Sequence, residues 1–181
     1  MDRRLGGLIL AGGASQRMGQ DKALLDWGGR RAVDRAFDLA RQVCGESVLV
    51  AGGDYGLAFV ADPSPQAGPV AGLVAGAAAL RARGCLTVLA LAVDAPALTL
   101  ADLAALLASS APGAIYEGLP LPMVIEIAAI PADAANDWPL RRLAEKAGLA
   151  VLPCPSEVRR RARGANTPEE RASLLAHFDG A

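Results

Sequence analysis

The side chains best suited to a phosphorylated ligand gather at two points of the chain. The first is the stretch Leu10-Ala11-Gly12-Gly13-Ala14-Ser15-Gln16-Arg17-Met18-Gly19-Gln20-Asp21-Lys22. Its small residues let the backbone bend so that several N–H groups converge on one anion. Ser15 adds a hydroxyl donor. Arg17 can grip phosphate oxygens bidentately, and Lys22 supplies a compact positive charge. The loop is not a Walker A loop, because no G-x-x-x-x-G-K-[ST] can be drawn through it. Nor is it G-x-G-x-x-G, since Gly13 follows Gly12 directly and the third glycine comes too late. Two readings remain from the residues alone: a polyphosphate cradle, or a glycine turn carrying two solvated cations. The second point is Asp94, which follows the most apolar run in the chain, Leu86 to Val93, and precedes Ala95-Pro96.

Both points need a scaffold, and strands alternate with helices around them. Gly7 to Ala11 is a continuous apolar run, as expected for a parallel strand buried on both faces. Val33, Ala36, Phe37, Ala40 and Val43 recur at helical spacing. Ser47–Ala51 reads as a second strand closed by Gly52-Gly53-Asp54, and Leu57–Ala61 as a short third. Pro69 suits the first turn of a helix. That helix carries Val70, Leu73, Val74, Ala77 and Leu80 on one side. Gly68, Gly72 and Gly76 lie four apart and are expected to let another backbone approach. Thr99 can cap a helix through Leu106 and Leu107. Ala114–Glu117 and Met123–Ile127 read as strands flanking Gly118-Leu119-Pro120. Leu140–Ala147 reads as a helix stopped by Gly148, Ala150–Leu152 as a strand, and Thr167-Pro168-Glu169-Glu170 as a helix start. This alternation implies an α/β fold with a mainly parallel sheet. Ligands in such sheets bind beyond the carboxyl ends of the strands, which is where the loop after Gly12 and Asp94 fall.

Composition narrows the chemistry. The chain has 181 residues, 52% apolar and 20% charged, which suits a globular core rather than disorder. Its net charge of −1 argues against a general nucleic-acid binder. Cys44, Cys85 and Cys154 are far apart and form no C-x-x-C pair, and His177 is the sole histidine. Zinc coordination and a histidine-activated nucleophile are therefore not expected. Isolated cysteines suit a reducing cytoplasm. The apolar part of the N-terminus before Gly12-Gly13 is too short for a signal-peptide core or a membrane span. No repeat or linker divides the chain, so residues 1–181 are expected to form a single domain.

The stretch Leu10–Lys22 resembles the signature of the molybdenum cofactor guanylyltransferases, within the wider nucleotidyltransferase group. Gly68-Pro69-Val70-Ala71-Gly72-Leu73, Val93-Asp94-Ala95-Pro96 and Asn166-Thr167-Pro168-Glu169-Glu170 resemble further family segments in the same order. The resemblance implies a Rossmann-like three-layer α/β nucleotidyltransferase fold. It implies transfer of GMP from GTP to the terminal phosphate of molybdenum-molybdopterin, with Mg²⁺ as cofactor and pyrophosphate as co-product. It places the nucleotide on Leu10, Ala11, Gly12, Gly13, Lys22, Asp62 and Asp94, the metal on Asp94, and the catalytic work on Arg17, Lys22 and Asp94. Its partners would be GTP and molybdopterin, with a molybdoenzyme or cofactor chaperone downstream, and neither nucleic acid nor membrane. A cytoplasmic location follows from the same reading.

The match has gaps. Guanylyltransferases often place an asparagine where this chain has Ala51-Gly52-Gly53, and Asn-x-Asn where it has Gly164-Ala165-Asn166. Asp62 before Pro63 also suits a simple turn. Asp21 reads either as support for Lys22 or Arg17 or as a turn cap. Arg159, Arg160, Arg161 and Arg163 read by default as a solvated face, and more sharply as an attractor for the anionic acceptor. The alternatives are a cytidylyltransferase for the same cofactor, which typically reads Leu-Ala-Ala-Gly in the first loop, and a nucleotide-binding protein that has lost its chemistry.

Overall fold

In the computed structural model, the structure describes residues 4–12, 21–61, 68–110, 112–164 and 168–175. The strands are β1 (Leu5–Leu10), β2 (Val48–Ala51), β3 (Phe59–Val60), β4 (Thr87–Ala92), β5 (Gly113–Tyr116), β6 (Leu119–Glu126) and β7 (Ala150–Leu152). The helices are α1 (Ala32–Cys44), α2 (Gly68–Ala82), α3 (Leu100–Leu107), α4 (Leu140–Lys146), α5 (Ser156–Ala162) and α6 (Pro168–Leu175). A seven-stranded sheet runs in the order β3-β2-β1-β4-β6-β5-β7. Only β6 runs against its neighbours among the described strands: it is antiparallel to β4 and to β5, whereas the β1–β2, β1–β4, β2–β3 and β5–β7 pairs are parallel.

Side chains alternate across β1 and so divide the core in two. Ile9 faces the layer of α1 and α3, where Val33, Ala36, Leu103 and Leu106 are buried. Leu8 and Leu10 face the layer of α2 and α4, where Leu73, Leu80 and Leu143 are buried. A strand covered on both faces must be apolar at every position, which explains the unbroken run in the sequence. Cys85 is buried in the second layer. Cys44 packs at the edge of the first, where burial, with a smaller push from Cys85, raises its thiol to about 12. A thiol held protonated in this way is a packing group rather than a nucleophile.

The structure corrects several expectations. Val74 is exposed rather than part of the buried stripe of α2, and Gly72 and Gly76 take its place on that face. Those two glycines do not admit another backbone. A Cβ on Gly76 would lie 2.4 Å from the Leu8 Cδ1 atom, and one on Gly72 would lie 3.4 Å from the Ala51 Cβ. They bring α2 down onto side chains of the sheet; only Gly68 meets a backbone atom, the Asn136 carbonyl at 3.0 Å. Leu119 and Pro120 belong to β6 rather than to a loop, and the turn is confined to Glu117-Gly118. Ile127 leaves the strand and begins a 3-10 turn. Helix α5 was not anticipated, because Val158 is its only buried residue and gives no periodic signal.

Candidate active site

Strands β1 and β4 are neighbours in register, with Leu10 opposite Ala92. The Val93 amide continues the ladder by donating to the Leu10 carbonyl at 3.1 Å. The residues that follow, Gly12 and Asp94, therefore emerge side by side beyond the carboxyl ends of the two central strands. Leu10 is buried against the α2 layer, and the Ala11 amide donates to the Ala51 carbonyl at 2.8 Å. Sheet bonds thus hold the Leu10 carbonyl and the Ala11 amide, while Gly12 is exposed at the mouth of the site. Gly13, Ser15, Arg17 and Asp62, as well as Asn166 and Thr167, lie outside the described residues.

Lys22 returns to this point from the far side of the loop. Its Nζ lies 3.9 Å from Asp94 Oδ2, and the two side chains are 37% and 50% exposed. That separation and exposure leave both groups open to a ligand. Asp21 aims the lysine. It caps the 3-10 turn Lys22–Leu24, its Oδ1 accepting the Ala23 amide at 3.0 Å. Its Oδ2 accepts the Tyr55 hydroxyl at 3.0 Å. Ala23 is fully buried and anchors the turn, which turns Lys22 outward. Asp21 thus caps the turn and through it supports Lys22; Arg17, the other partner considered for it, lies outside the described residues. Tyr55 was not anticipated, and nothing in its local sequence signals the contact.

Gly52 accounts for the stretch that departs from the guanylyltransferase pattern. Its φ is +113°, and a Cβ there would stand 2.1 Å from the Gly12 nitrogen. The exit of β2 presses against the start of the loop that follows β1 at Gly12, and only glycine fits both the conformation and the space. Substituting any larger residue would push the loop itself.

The arginine run does not behave as a single solvated face. Arg161 turns inward and clasps Asp102 with two hydrogen bonds, Nε to Oδ2 at 2.8 Å and Nη2 to Oδ1 at 2.5 Å. Asp102 is only 2% exposed. Its Oδ2 also accepts the Thr99 amide at 2.8 Å and the Thr99 hydroxyl at 2.9 Å, closing the start of α3. Burial pushes the Asp102 carboxyl up, but the Arg161 and Thr99 hydrogen bonds outweigh it and hold the group below the usual carboxylate value. The Thr-x-x-Asp spacing is a capping signal readable in sequence; the distant arginine is not. Arg159 donates to the Glu117 carbonyl at 3.1 Å, and Arg160 pairs with Glu157 at 2.6 Å. Arg159, Arg160 and Arg163 line an open groove of about 710 Å³ between α5 and α6, with Ser173 on its far wall and Gly164 beside it.

This geometry can be set beside known proteins. The MobA-like NTP transferase domain matches residues 7–118. A molybdenum cofactor guanylyltransferase of Xanthomonas euvesicatoria pv. vesicatoria is 35% identical over 178 residues, covering 93% of each chain. The chain belongs to the MobA-like NTP transferase family. A probable molybdenum cofactor guanylyltransferase of Chloroflexus aggregans is 37% identical over 110 residues, 56% of this chain and 51% of that one. Among solved structures, molybdopterin-guanine dinucleotide biosynthesis protein A from Archaeoglobus fulgidus superposes with a TM-score of 0.64 at 18% identity, covering 97% of this chain and all of that one. That likeness establishes the α/β nucleotidyltransferase fold. The family makes the chain a nucleotidyltransferase.

Asp94 fits a Mg²⁺ ion by the chemistry of its donor. It is a half-exposed hard oxygen ligand at a strand end, and Mg²⁺ is usually held by one or two carboxylates plus substrate phosphates. Among the described residues no group of three or more His, Cys, Asp or Glu could hold a metal ion. If Lys22 contacts the nucleotide, Lys22→Ala is expected to weaken nucleoside triphosphate binding by about tenfold or more, one charge-assisted hydrogen bond being worth roughly 1.5–3 kcal/mol. Equilibrium titration with GTP checks this, and an unchanged affinity would remove Lys22 from the site.

Proposed function

We infer that the chain transfers GMP from GTP to the terminal phosphate of molybdenum-molybdopterin. The observation that carries the reading is the convergence of Lys22 and Asp94 beside Gly12 at the carboxyl ends of β1 and β4. The choice of base and acceptor is supported by the relatives, which are named molybdenum cofactor guanylyltransferases. An oxygen of the acceptor phosphate attacks the α-phosphorus of GTP. A new P–O–P bond forms, the bond from the α-phosphorus to the bridging oxygen breaks, and pyrophosphate leaves with the electron pair. A phosphate monoester is largely ionised near neutral pH, so the step needs no strong general base. Lys22 would hold phosphate oxygens, and Gly12 would let them lie against the backbone. Asp94 would hold Mg²⁺, which when bound neutralises phosphate charge. Positioning and electrostatics then supply the rate. Arg17, Gly13 and Asp62 would complete the nucleotide side. Among the described residues no helix is long and apolar enough to cross a membrane. Action in the cytoplasm, with hand-over to a molybdoenzyme or cofactor chaperone, belongs to the same proposal.

The groove between α5 and α6 is assigned here to the anionic acceptor. Arg160→Gln combined with Arg163→Gln should raise the Michaelis constant for the acceptor about tenfold, by the same charge-assisted contacts, and leave that for GTP unchanged. Equal effects on both substrates, or none, would reject the assignment. The reaction itself is tested with α-labelled GTP and, separately, α-labelled CTP, each given molybdenum-loaded molybdopterin and Mg²⁺. Label passing from GTP alone supports the reading. Label from CTP would move the chain to the cytidylyl branch. Transfer from neither, with GTP still bound, would sink the proposed acceptor.

A further inference from the structure

The turn that carries Lys22 is gripped from both sides. On its far side the Ala32 amide donates to the Leu25 carbonyl at 2.9 Å, which ties the turn to the start of α1. On its near side the grip comes from the connection between β2 and β3, 34 residues further along the chain. There the Tyr55 hydroxyl donates to Asp21 Oδ2 at 3.0 Å, while Asp21 Oδ1 accepts the Ala23 amide at 3.0 Å. One oxygen of Asp21 closes the turn around Lys22, and the other ties that turn to Tyr55.

Tyr55 is itself firmly placed. Its half-buried ring packs against the first core layer. Around it the Gly56 amide donates to Asp54 Oδ1 at 2.9 Å, and the Val50 amide donates to the Ala58 carbonyl at 2.9 Å, closing the connection onto the sheet. The same connection begins at Ala51, whose carbonyl accepts the Ala11 amide at 2.8 Å. One short segment, from Ala51 to Tyr55, therefore bonds to the residue before Gly12 and to the residue before Lys22. A lysine carries its charge on a flexible four-carbon stem, so the reach of its ammonium depends on where the backbone starts it. A group that acts on a ligand needs such support from the residues behind it.

We propose that Tyr55 is a positioning residue for nucleotide binding: through Asp21 it fixes the turn from which Lys22 reaches the triphosphate, so that the β2–β3 connection sets the span between Gly12 and Lys22. This deepens the reading of Lys22 given above and rests on it.

Tyr55→Phe removes the hydroxyl and keeps the ring; Lys22→Ala removes the charge. The two substitutions and their combination are made in the full chain, and affinity for GTP with Mg²⁺ is measured by equilibrium titration, which needs neither acceptor nor turnover. Tyr55→Phe should weaken GTP binding about fivefold, less than the loss of Lys22 itself, because the charge remains and only its aim is loosened. In the Lys22→Ala background the same substitution should change the affinity by less than about 1.5-fold, since no lysine is left to aim. A tyrosine that merely supports the fold would weaken GTP binding by the same factor in both backgrounds, and that result would overturn the proposal. An unchanged affinity in Tyr55→Phe alone would overturn it too. Should the double variant not fold, Lys22→Met, which keeps the stem without the charge, replaces Lys22→Ala in the cycle. Lys22→Ala by itself separates the two claims. If it weakens GTP binding while Tyr55→Phe does not, only the positioning role fails. If it leaves the affinity unchanged, the reading of Lys22 fails and the role of Tyr55 falls with it.

Discussion

Asp94→Ala is expected to abolish nucleotidyl transfer while leaving the chain folded. The carboxylate is half exposed, and its nearest cation, Lys22, is 3.9 Å away. An exposed pair of that kind contributes about 0–1 kcal/mol to stability, so the melting temperature should barely move. The loss in turnover should be large, roughly 10²–10³-fold or more, because on the proposed reading the carboxylate would hold the metal that neutralises phosphate charge in the transition state, a role separate from folding. Steady-state turnover over a Mg²⁺ series, paired with thermal melting, reads both quantities. Near-normal Mg²⁺-dependent turnover would show the metal assignment to be wrong. A large fall in melting temperature would show that Asp94 mainly supports its own turn.

The opposite split is expected at Asp102. Asp102→Ala should leave the chemistry to the molecules that still fold but lower stability sharply. The substitution leaves Arg161, whose side chain is only 24% exposed, with the looser Glu157 contact at 3.6 Å as its remaining ion pair among the described residues, and opens the start of α3. Breaking one partner of a buried ion pair costs about 3–5 kcal/mol, against a total stability of roughly 5–15 kcal/mol for a folded domain. For a chain of this size that corresponds to a fall of about 10 °C in melting temperature. The pH dependence has a definite sign. The folded carboxyl sits below its ordinary value, so its contribution is fully present above the unfolded value of about 3.9 and is lost as pH falls towards and through the folded value. The gap in melting temperature between the wild type and Asp102→Asn should therefore stay constant from neutral pH down to about 4 and narrow below it. A gap that widened on acidification would contradict the pairing with Arg161.

Much of the scaffold around Gly12 and Asp94 was legible from local sequence. The apolar run of β1 and the glycine-rich stretch after it, together with the run ending at Asp94, place two groups at the carboxyl ends of parallel strands. The strand and helix order carries that placement without any knowledge of contacts. Helix α2 was also readable, but its buried face was read one residue wide of the mark at Val74. A four-residue stripe drifts round a helix, and the glycines that let α2 settle on Leu8 and Ala51 count as blanks in a hydrophobic pattern. The antiparallel β6 escaped in part because Leu119 and Pro120 follow a glycine and read as loop.

What local pattern alone determined was the alternation of strand and helix and the placing of Gly12 and Asp94 beyond strand ends; the roles given to Gly12, Lys22 and Asp94 came from the resemblance. Burial periodicity and turn chemistry act over a few residues, so a sequence displays them directly. Only the tertiary structure decided which of those groups meet and what steadies them. Tyr55 on Asp21, Gly52 against Gly12 and Arg161 on Asp102 all join residues far apart in the chain. Their energies come from excluded volume, left-handed backbone and desolvated charge. Each of these depends on what the fold brings alongside a residue and leaves no mark in the residues on either side of it.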